Sequence, residues 1–318
     1  MKVLIVCSGN SPEDQPFDLK LHHAFIYEQV EALKPFGIAF DYFLIKGKGL
    51  RGYFKHHKKL MKVLQNNYDL IHAHNGLSGF LSTLQNKVPV ITTFHGSDIN
   101  LFLLRIVSYF PLLKSSQSIF VSEKQVKKVI FKRNIKVIPC GIDLNVFRPL
   151  PDTLSLTSEK QQIDKINILF SSSSSISIKN YPLALAAVRS LDNNNVELIE
   201  LKKKSRQDVC DLMNASDLLL LTSFSEGSPM VIKEAMACNC PIVSTDVGDI
   251  REVFGNTEGC YLTSFDPKDV ADKIKLAIEF SKTKGRTNGR KRIIELGLDS
   301  ESIAKRIVEV YKNVLKVS

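Results

Sequence analysis

The sequence predicts an α/β protein made of two doubly wound parallel-sheet domains, and three observations carry that reading. At 318 residues the chain is about twice the length of a typical domain. Short runs rich in Val, Ile and Leu alternate with longer helix-like segments, the pattern of parallel strands covered on both faces by crossover helices. The polar stretch Leu150 to Lys165, with Pro151, Asp152, Thr153, Ser155, Thr157 and Ser158, then breaks the alternation as a linker does. The expected organisation is an N-terminal domain at 1–150, a linker at 151–165 and a C-terminal domain at 166–318. The last helix is a candidate to pack back on the first domain.

Taken in order, the first series of strands is expected at Lys2 to Cys7, Ala39 to Ile45, Leu70 to Ala73, Val90 to Thr93, Ser118 to Val121 and Lys136 to Ile138. The second is expected at Ile166 to Phe170, Val196 to Leu201, Leu218 to Leu221, Pro241 to Ser244 and Cys260 to Leu262. Two helices close the chain. Ala271 to Lys282 and Ser300 to Val317 carry apolar residues at three- and four-residue spacing, so each is expected to bury one stripe.

Composition narrows the functional classes. With 44% hydrophobic and 24% charged residues the chain is an ordinary globular one, neither disordered nor fibrous. Its six cysteines form no C-x-x-C pair and no zinc-like Cys/His spacing, so reduced thiols are expected, with no metal site. The apolar run Val3 to Val6 is too short for a signal-peptide core, and Ile99 to Leu113 falls short of the ~20 residues of a spanning helix. A cytoplasmic protein is the expectation, with the inner face of the membrane as a peripheral location. All of the net charge of +10 resides in residues 1–150, which hold 20 Lys and Arg against 10 Asp and Glu. Lys46, Lys48, Arg51, Lys55, Lys58, Lys59 and Lys62 cluster without an acid between Tyr42 and Asn67. That segment reads either as a solubilising face or as a surface for an anionic membrane, with Leu50, Tyr53 and Phe54 placed either to insert shallowly or to pack into the domain core. Nucleic acid is the poorest fit, because neither a recognisable module nor interleaved aromatics accompany the charge.

Ligands of such sheets bind beyond the carboxyl ends of the strands. The first strand leads into Cys7-Ser8-Gly9-Asn10, which lacks G-x-G-x-x-G, so dinucleotide redox chemistry has little support. The most informative stretch follows Leu218 to Leu221. It runs through Glu226, Gly227, Ser228, Pro229 and Met230 into a helix containing Glu234. Ser228 is expected to cap that helix and Pro229 to occupy its first turn, leaving the amides near Ser228 to Val231 as a mouth for an anion such as phosphate. The two carboxylates flanking this mouth are suited to accept hydrogen bonds from sugar hydroxyls.

At these residues the sequence resembles glycosyltransferase family 4, whose E-G-x-x-x-x-x-x-E pattern is met by Glu226, Gly227 and Glu234. Ile71-His-Ala-His74, Thr93-Phe-His-Gly-Ser-Asp98, Val137 to Asp143 with Phe147-Arg-Pro149, and Pro241 to Gly248 look like further family landmarks in family order. The resemblance implies a GT-B fold with two Rossmann-like domains facing a central cleft. It further implies a retaining hexosyltransferase that moves a sugar from a nucleotide-diphosphate sugar to a glycan or lipid-linked glycan, without a cofactor. Carried over by position, Glu226 and His95 are the candidates beside the donor sugar. Glu234 resembles the ribose-holding glutamate, Lys179 the phosphate lysine, Gly227 to Met230 the backbone donors, and Gly9 the loop over the diphosphate. Asp98 and Asp143 are acceptor-side or cleft candidates, while His72 and His74 read as structural.

Three departures from the family pattern matter. Ser173, within the run Ser171 to Ser175, stands where the family usually has a phosphate-binding arginine, with Arg251 as a candidate replacement. Asp249 stands where a second glycine is common, and the connection Glu200 to Arg206 looks shortened. A non-catalytic glycan- or partner-binding protein of the same fold is the alternative they leave open.

Overall fold

The computed structural model describes residues 1–8, 18–46, 49–151, 165–191, 193, 195–202 and 204–317, and the side chains of 21, 49–52, 54 and 317 lie outside that description. Gly9, Lys48 and the linker residues 152–164 therefore fall outside the described residues, as do the side chains of Leu50, Arg51 and Phe54.

The chain divides into two compact units, Met1–Gly141 with Ser300–Ser318, and Ile142–Asp299. The first holds six parallel strands, β1 (Lys2–Ser8), β2 (Ala39–Ile45), β3 (Leu70–His74), β4 (Val90–Phe94), β5 (Gln117–Phe120) and β6 (Ile135–Val137), in the order β2-β1-β3-β4-β5-β6. The second holds five, β7 (Ile166–Phe170), β8 (Val196–Glu200), β9 (Leu218–Leu221), β10 (Ile242–Thr245) and β11 (Cys260–Thr263), in the order β11-β10-β9-β7-β8. Every strand lies within about one residue of its expected bounds. The central strands β3, β4 and β9 are buried along their whole length, as continuous apolar or β-branched runs between two helical layers should be.

The passage from one unit to the other differs from the expected boundary. Residues 142–150 pack on the second unit rather than the first. Ile142 N–H donates to Leu298 O, the Arg290 guanidinium holds the carbonyls of Leu144 and Phe147, and Asn214 binds Leu150 N and Arg148 O. These buried carbonyls need donors, and the second unit supplies them. The helix Ser300–Val317 belongs to the first unit, where it packs against Ala24–Leu33 and inserts the fully buried Tyr311.

The basic segment forms the helix Gly49–Val63. Lys55, Lys58, Lys59 and Lys62 line its exposed side, while Tyr53, His56 and Leu60 face the core. Tyr53 packs into the core, the second of the two places open to it, with Leu60 on the same face of this amphipathic helix. The six cysteines are free thiols, five of them buried. Among the described residues, no helix is long and apolar enough to cross a membrane.

Candidate functional site

In the second unit, β9 ends at Leu221 and the chain turns through Glu226 and Gly227 into the helix Met230–Ala237. Three bonds tie this turn to the turn Ser177–Lys179 after β7: Phe224 N–H donates to Ile178 O, and the Thr222 hydroxyl reaches the carbonyls of Lys179 and Asn180. Lys179 Nζ then meets Glu226 Oε1 at 2.6 Å with both side chains mostly buried. Two of the candidates are therefore brought together as an ion pair.

Glu234 lies on the second turn of the helix and is 4% exposed. Its carboxylate pairs with Arg206, whose guanidinium also lies 4.5 Å over the Phe147 ring. Arg206 opens the helix Arg206–Ala215, where Ser205 and Asp208 close a capping box and fix the point from which the side chain projects. Sequence reasoning missed Arg206, treating this stretch only as a shortened connection. The faint signal was the Ser205-x-x-Asp208 box, which marks a helix start and so a defined arginine.

The helix start itself departs from expectation. Pro229 is the N-cap, and Ser228 does not cap. The Ser228 hydroxyl instead donates to Asp249 Oδ2 and accepts from Lys233 Nζ at 2.8 Å. Lys233 and Asp249 are both buried, and burial raises the Asp249 carboxyl above its ordinary range while Lys233 and the Ser228 hydrogen bond oppose that rise. A buried cation and carboxylate outcompete a backbone amide for one hydroxyl. Gly248 completes the arrangement. Its φ is +60°, and a Cβ there would stand 2.7 Å from Gly227 O, so the loop carrying Asp249 approaches the Glu226-Gly227 turn as only glycine permits. The position where the family commonly has glycine is here the anchor of the donor turn. The amides of Met230 and Val231 belong to the first helical turn, which has no intrahelical acceptors for them.

The phosphate side lacks the arginine. The Ser173 hydroxyl bonds to that of Ser175 at 2.8 Å, and Ser174 N–H donates to Glu200 Oε2. Arg251, the suggested substitute, is exposed and paired with Asp246 through both Nε and a terminal nitrogen. Asp143, the other acceptor-side or cleft candidate, accepts from Asn145 N–H and shapes a turn at the start of the second unit.

In the first unit, the ends of β3 and β4 carry three stacked imidazoles. His72 and His74 alternate to the same face of β3 with centroids 4.4 Å apart, and His74 stacks on His95 at 5.2 Å. His72 is held by Tyr311 and Thr93 at 2.6 and 2.7 Å. His74 Nδ1 and His95 Nε2 are 3.0 Å apart, His95 Nδ1 lies 3.8 Å from Cys140 Sγ, and Phe25 covers the His95 ring edge-on. Burial pushes His72 and His95 down to about 3 and His74 well below its ordinary value, so the stack is neutral at neutral pH. His95 is thus a neutral hydrogen-bonding group whose two ring nitrogens already face protein partners. His74, read as structural, is its immediate neighbour.

Asp98 is nearly fully buried and engaged by backbone amides. Its buried carboxylate accepts from the amides of Gly76, His95 and Gly96, so it pins the His95 turn to the start of Gly76–Ser82. Desolvation raises its carboxyl even against those three donors. Among the described residues, no group of three or more His, Cys, Asp or Glu is arranged to hold a metal ion.

With this geometry in place, comparison with known proteins gives consistent results. Residues 3–146 match the model described as Glycosyltransferase Family 4, and residues 193–295 match that described as Glycosyl transferases group 1. Together these cover more than three quarters of the chain. The putative teichuronic acid biosynthesis glycosyltransferase TuaC of Bacillus subtilis is 28% identical over 226 residues, 62% of this chain and 58% of that protein. The N,N'-diacetylbacillosaminyl-diphospho-undecaprenol alpha-1,3-N-acetylgalactosaminyltransferase of Campylobacter jejuni is 32% identical over 115 residues, 35% of this chain and 30% of that one. The chain thus spans less than two thirds of the length of both relatives. Among solved structures, HepE from Anabaena in complex with UDP-glucose superposes with a TM-score of 0.74 at 18% identity, over 98% of this chain and all of that one.

Proposed function

This chain belongs to glycosyltransferase family 4 and has the GT-B fold, and from that premise we propose that it is a retaining hexosyltransferase using a nucleotide-diphosphate sugar. The observation that carries the proposal is the donor turn. Glu226 and Lys179 form one ion pair, Glu234 and Arg206 another, and the first amides of Met230–Ala237 lie between the two glutamates in sequence. In this reading Glu234 accepts the ribose hydroxyls while Arg206 holds its carboxylate in place. Lys179 and the helix amides stabilise charge on the leaving diphosphate. Glu226 orients the sugar. The bond from the anomeric carbon to the phosphate oxygen breaks, the acceptor oxygen bonds to that carbon on the same face, and the acceptor proton passes to the departing diphosphate.

The acceptor is proposed to be a glycan or lipid-linked glycan hydroxyl. The naming of relatives for teichuronic acid synthesis and for a diphospho-undecaprenol acceptor supports that class. UDP is the first nucleotide to try, because a structurally similar protein is known with UDP-glucose. Incubating the chain with a panel of nucleotide sugars and following nucleoside diphosphate release tests the proposal. Release with one donor, accelerated by a glycan acceptor, is the expected result; binding without turnover of any donor contradicts it.

One observation favours a second reading. Ser173 bonds to Ser175 where the family's arginine would stand, and Arg251 is engaged by Asp246, so Lys179 is the phosphate-side cation that remains in this reading. A chain that binds the nucleotide sugar without cleaving it is what the same panel would then reveal.

A further inference from the structure

The helix Phe102–Lys114 is apolar on nearly every side, and it packs the opposite way round from an ordinary surface helix. Its buried positions are the compact Ser108 and Pro111, together with Leu112. Glycines on Gly76–Ser82 admit the first two: a Cβ at Gly76 would stand 1.9 Å from Ser108 Oγ, and one at Gly79 would stand 2.9 Å from Pro111 Cβ. Because the close approach is made by small residues, the bulky ones are left outside. Phe102, Leu103 and Ile106 are 65%, 76% and 51% exposed. A helix that is hydrophobic all round is ordinarily enclosed by protein or lipid.

A second segment continues the patch. Ile130 is 79% exposed, and its neighbour Phe131 packs edge-on against Tyr109 of the helix at 5.7 Å. Lys128 Nζ donates to Asn100 Oδ1 at 2.7 Å, which fixes this turn against the start of the same helix. Charge surrounds the apolar tip with one sign only. Residues 99–135 contain seven Lys and Arg, among them Arg105, Lys127, Lys132 and Arg133, against the single acid Glu123. Arg105 lies 5.6 Å over the Phe102 ring, and desolvation, with a smaller contribution from the Arg105 charge, lowers the Lys128 ammonium below its usual range.

We propose that this surface, Leu101 to Ile106 with Ile130 and Phe131, docks the first unit on an anionic lipid membrane. The apolar side chains enter the boundary below the headgroups and the cations meet lipid phosphates, the combination used by interfacial amphipathic helices. Charge complementarity selects this occupant over a neutral apolar one. The helix Gly49–Val63 supports it from the same helical layer, since Gly76–Ser82 packs against both. Its described residues expose Lys55, Lys58, Lys59 and Lys62, which add to the attraction for anionic headgroups. The site belongs to the first unit and the Glu226 turn to the second, and its test is independent of any sugar.

The test is cosedimentation of the whole chain with phosphatidylcholine vesicles, pure or containing about one-third phosphatidylglycerol. Binding to the anionic vesicles alone is expected, weakened by salt. Leu103→Asp with Ile130→Asp is expected to lower the apparent affinity at least about tenfold, with circular dichroism and melting unchanged. Lys127→Glu with Lys132→Glu and Arg133→Glu, which touches no buried residue, is expected to do the same and decides the matter should the first variant fold poorly. Lys55→Glu with Lys58→Glu is expected to cost only a few-fold. Equal sedimentation of wild type and both patch variants overturns the proposal, as does equal binding to neutral and anionic vesicles. So does concentration-dependent self-association that the Asp variant abolishes without any vesicle binding, which would make a second copy of the chain the occupant.

Discussion

The strand ends of the two units are built from similar α/β parts and carry opposite electrostatics. At β3 and β4, burial has stripped charge from three imidazoles, leaving a stack held by Tyr311, Thr93 and Cys140. At β7 and β9, charge has been retained and paired: Lys179 with Glu226, Arg206 with Glu234, and Lys233 facing Asp249 through Ser228. The difference teaches that one fold provides two kinds of binding wall. The neutral wall is held by its own contacts, the ring nitrogens of His72 and His95 already facing protein partners. A charged wall suits a diphosphate, whose negative charge increases as it leaves.

The largest effect expected from breaking the charged wall is on turnover. Lys179→Ala removes the cation beside Glu226 and is expected to reduce kcat by about a hundredfold or more, as loss of one preorganised donor does elsewhere. Steady-state kinetics with the active donor checks this. A change confined to KM would mean that the lysine binds the ground state only.

Arg206→Leu sharpens the same side with a smaller effect. It leaves Glu234 nearly buried without its cation, and a stability loss of about 1–3 kcal/mol in urea is expected, along with weaker nucleotide binding. Arg206→Lys should restore only part of it, because an ammonium neither matches the carboxylate as a fork nor stacks on Phe147 as a plane.

What was legible in the sequence follows the range of each interaction. Strand positions were readable because apolar runs and their punctuation are local, and Glu226, Gly227 and Glu234 were readable as a motif within nine residues. The capping role assigned to Ser228 failed because its competitor, Asp249, arrives from 21 residues away across the tight approach at Gly248. Arg206 was invisible for the same reason, its partner lying 28 residues downstream. The amide-binding roles of Asp98 and Asp143 were not readable, because an acid that binds amides and an acid that faces a ligand have the same letter. The exposed helix Phe102–Lys114 reads as a buried one by composition, and only the glycine face of Gly76–Ser82 explains why it is turned outward.

The neutral wall is tested by acid. His72 and His95 titrate near 3 in the folded chain and near 6.5 when unfolded, so the unfolded state binds more protons as pH falls. Their contribution is fully present above about pH 6.5 and is lost as pH drops towards about 3, at roughly 1 kcal/mol per pH unit for each imidazole. Urea denaturation between these limits should show that slope, and His72→Gln with His95→Gln should flatten it. A slope unchanged in the double variant would place the lost stability elsewhere.

The smallest expected effect is none at all. On the proposal that Lys179 and the helix amides meet the diphosphate, activity in EDTA is expected to equal activity in magnesium. Loss in EDTA that manganese or magnesium restores would assign part of that neutralisation to a metal.

The most direct measurement of the contrast is calorimetric titration of UDP into wild type, Glu234→Ala and His95→Ala. Since UDP carries ribose and diphosphate but not the hexose to be transferred, it should address the charged wall alone. The expected result is saturable binding to wild type, affinity reduced about tenfold or more in the Glu234 variant for the loss of about 1–3 kcal/mol, and no change in the His95 variant. Equal affinity in wild type and the Glu234 variant, or a loss confined to the His95 variant, would contradict the assignment of the nucleotide to the second unit.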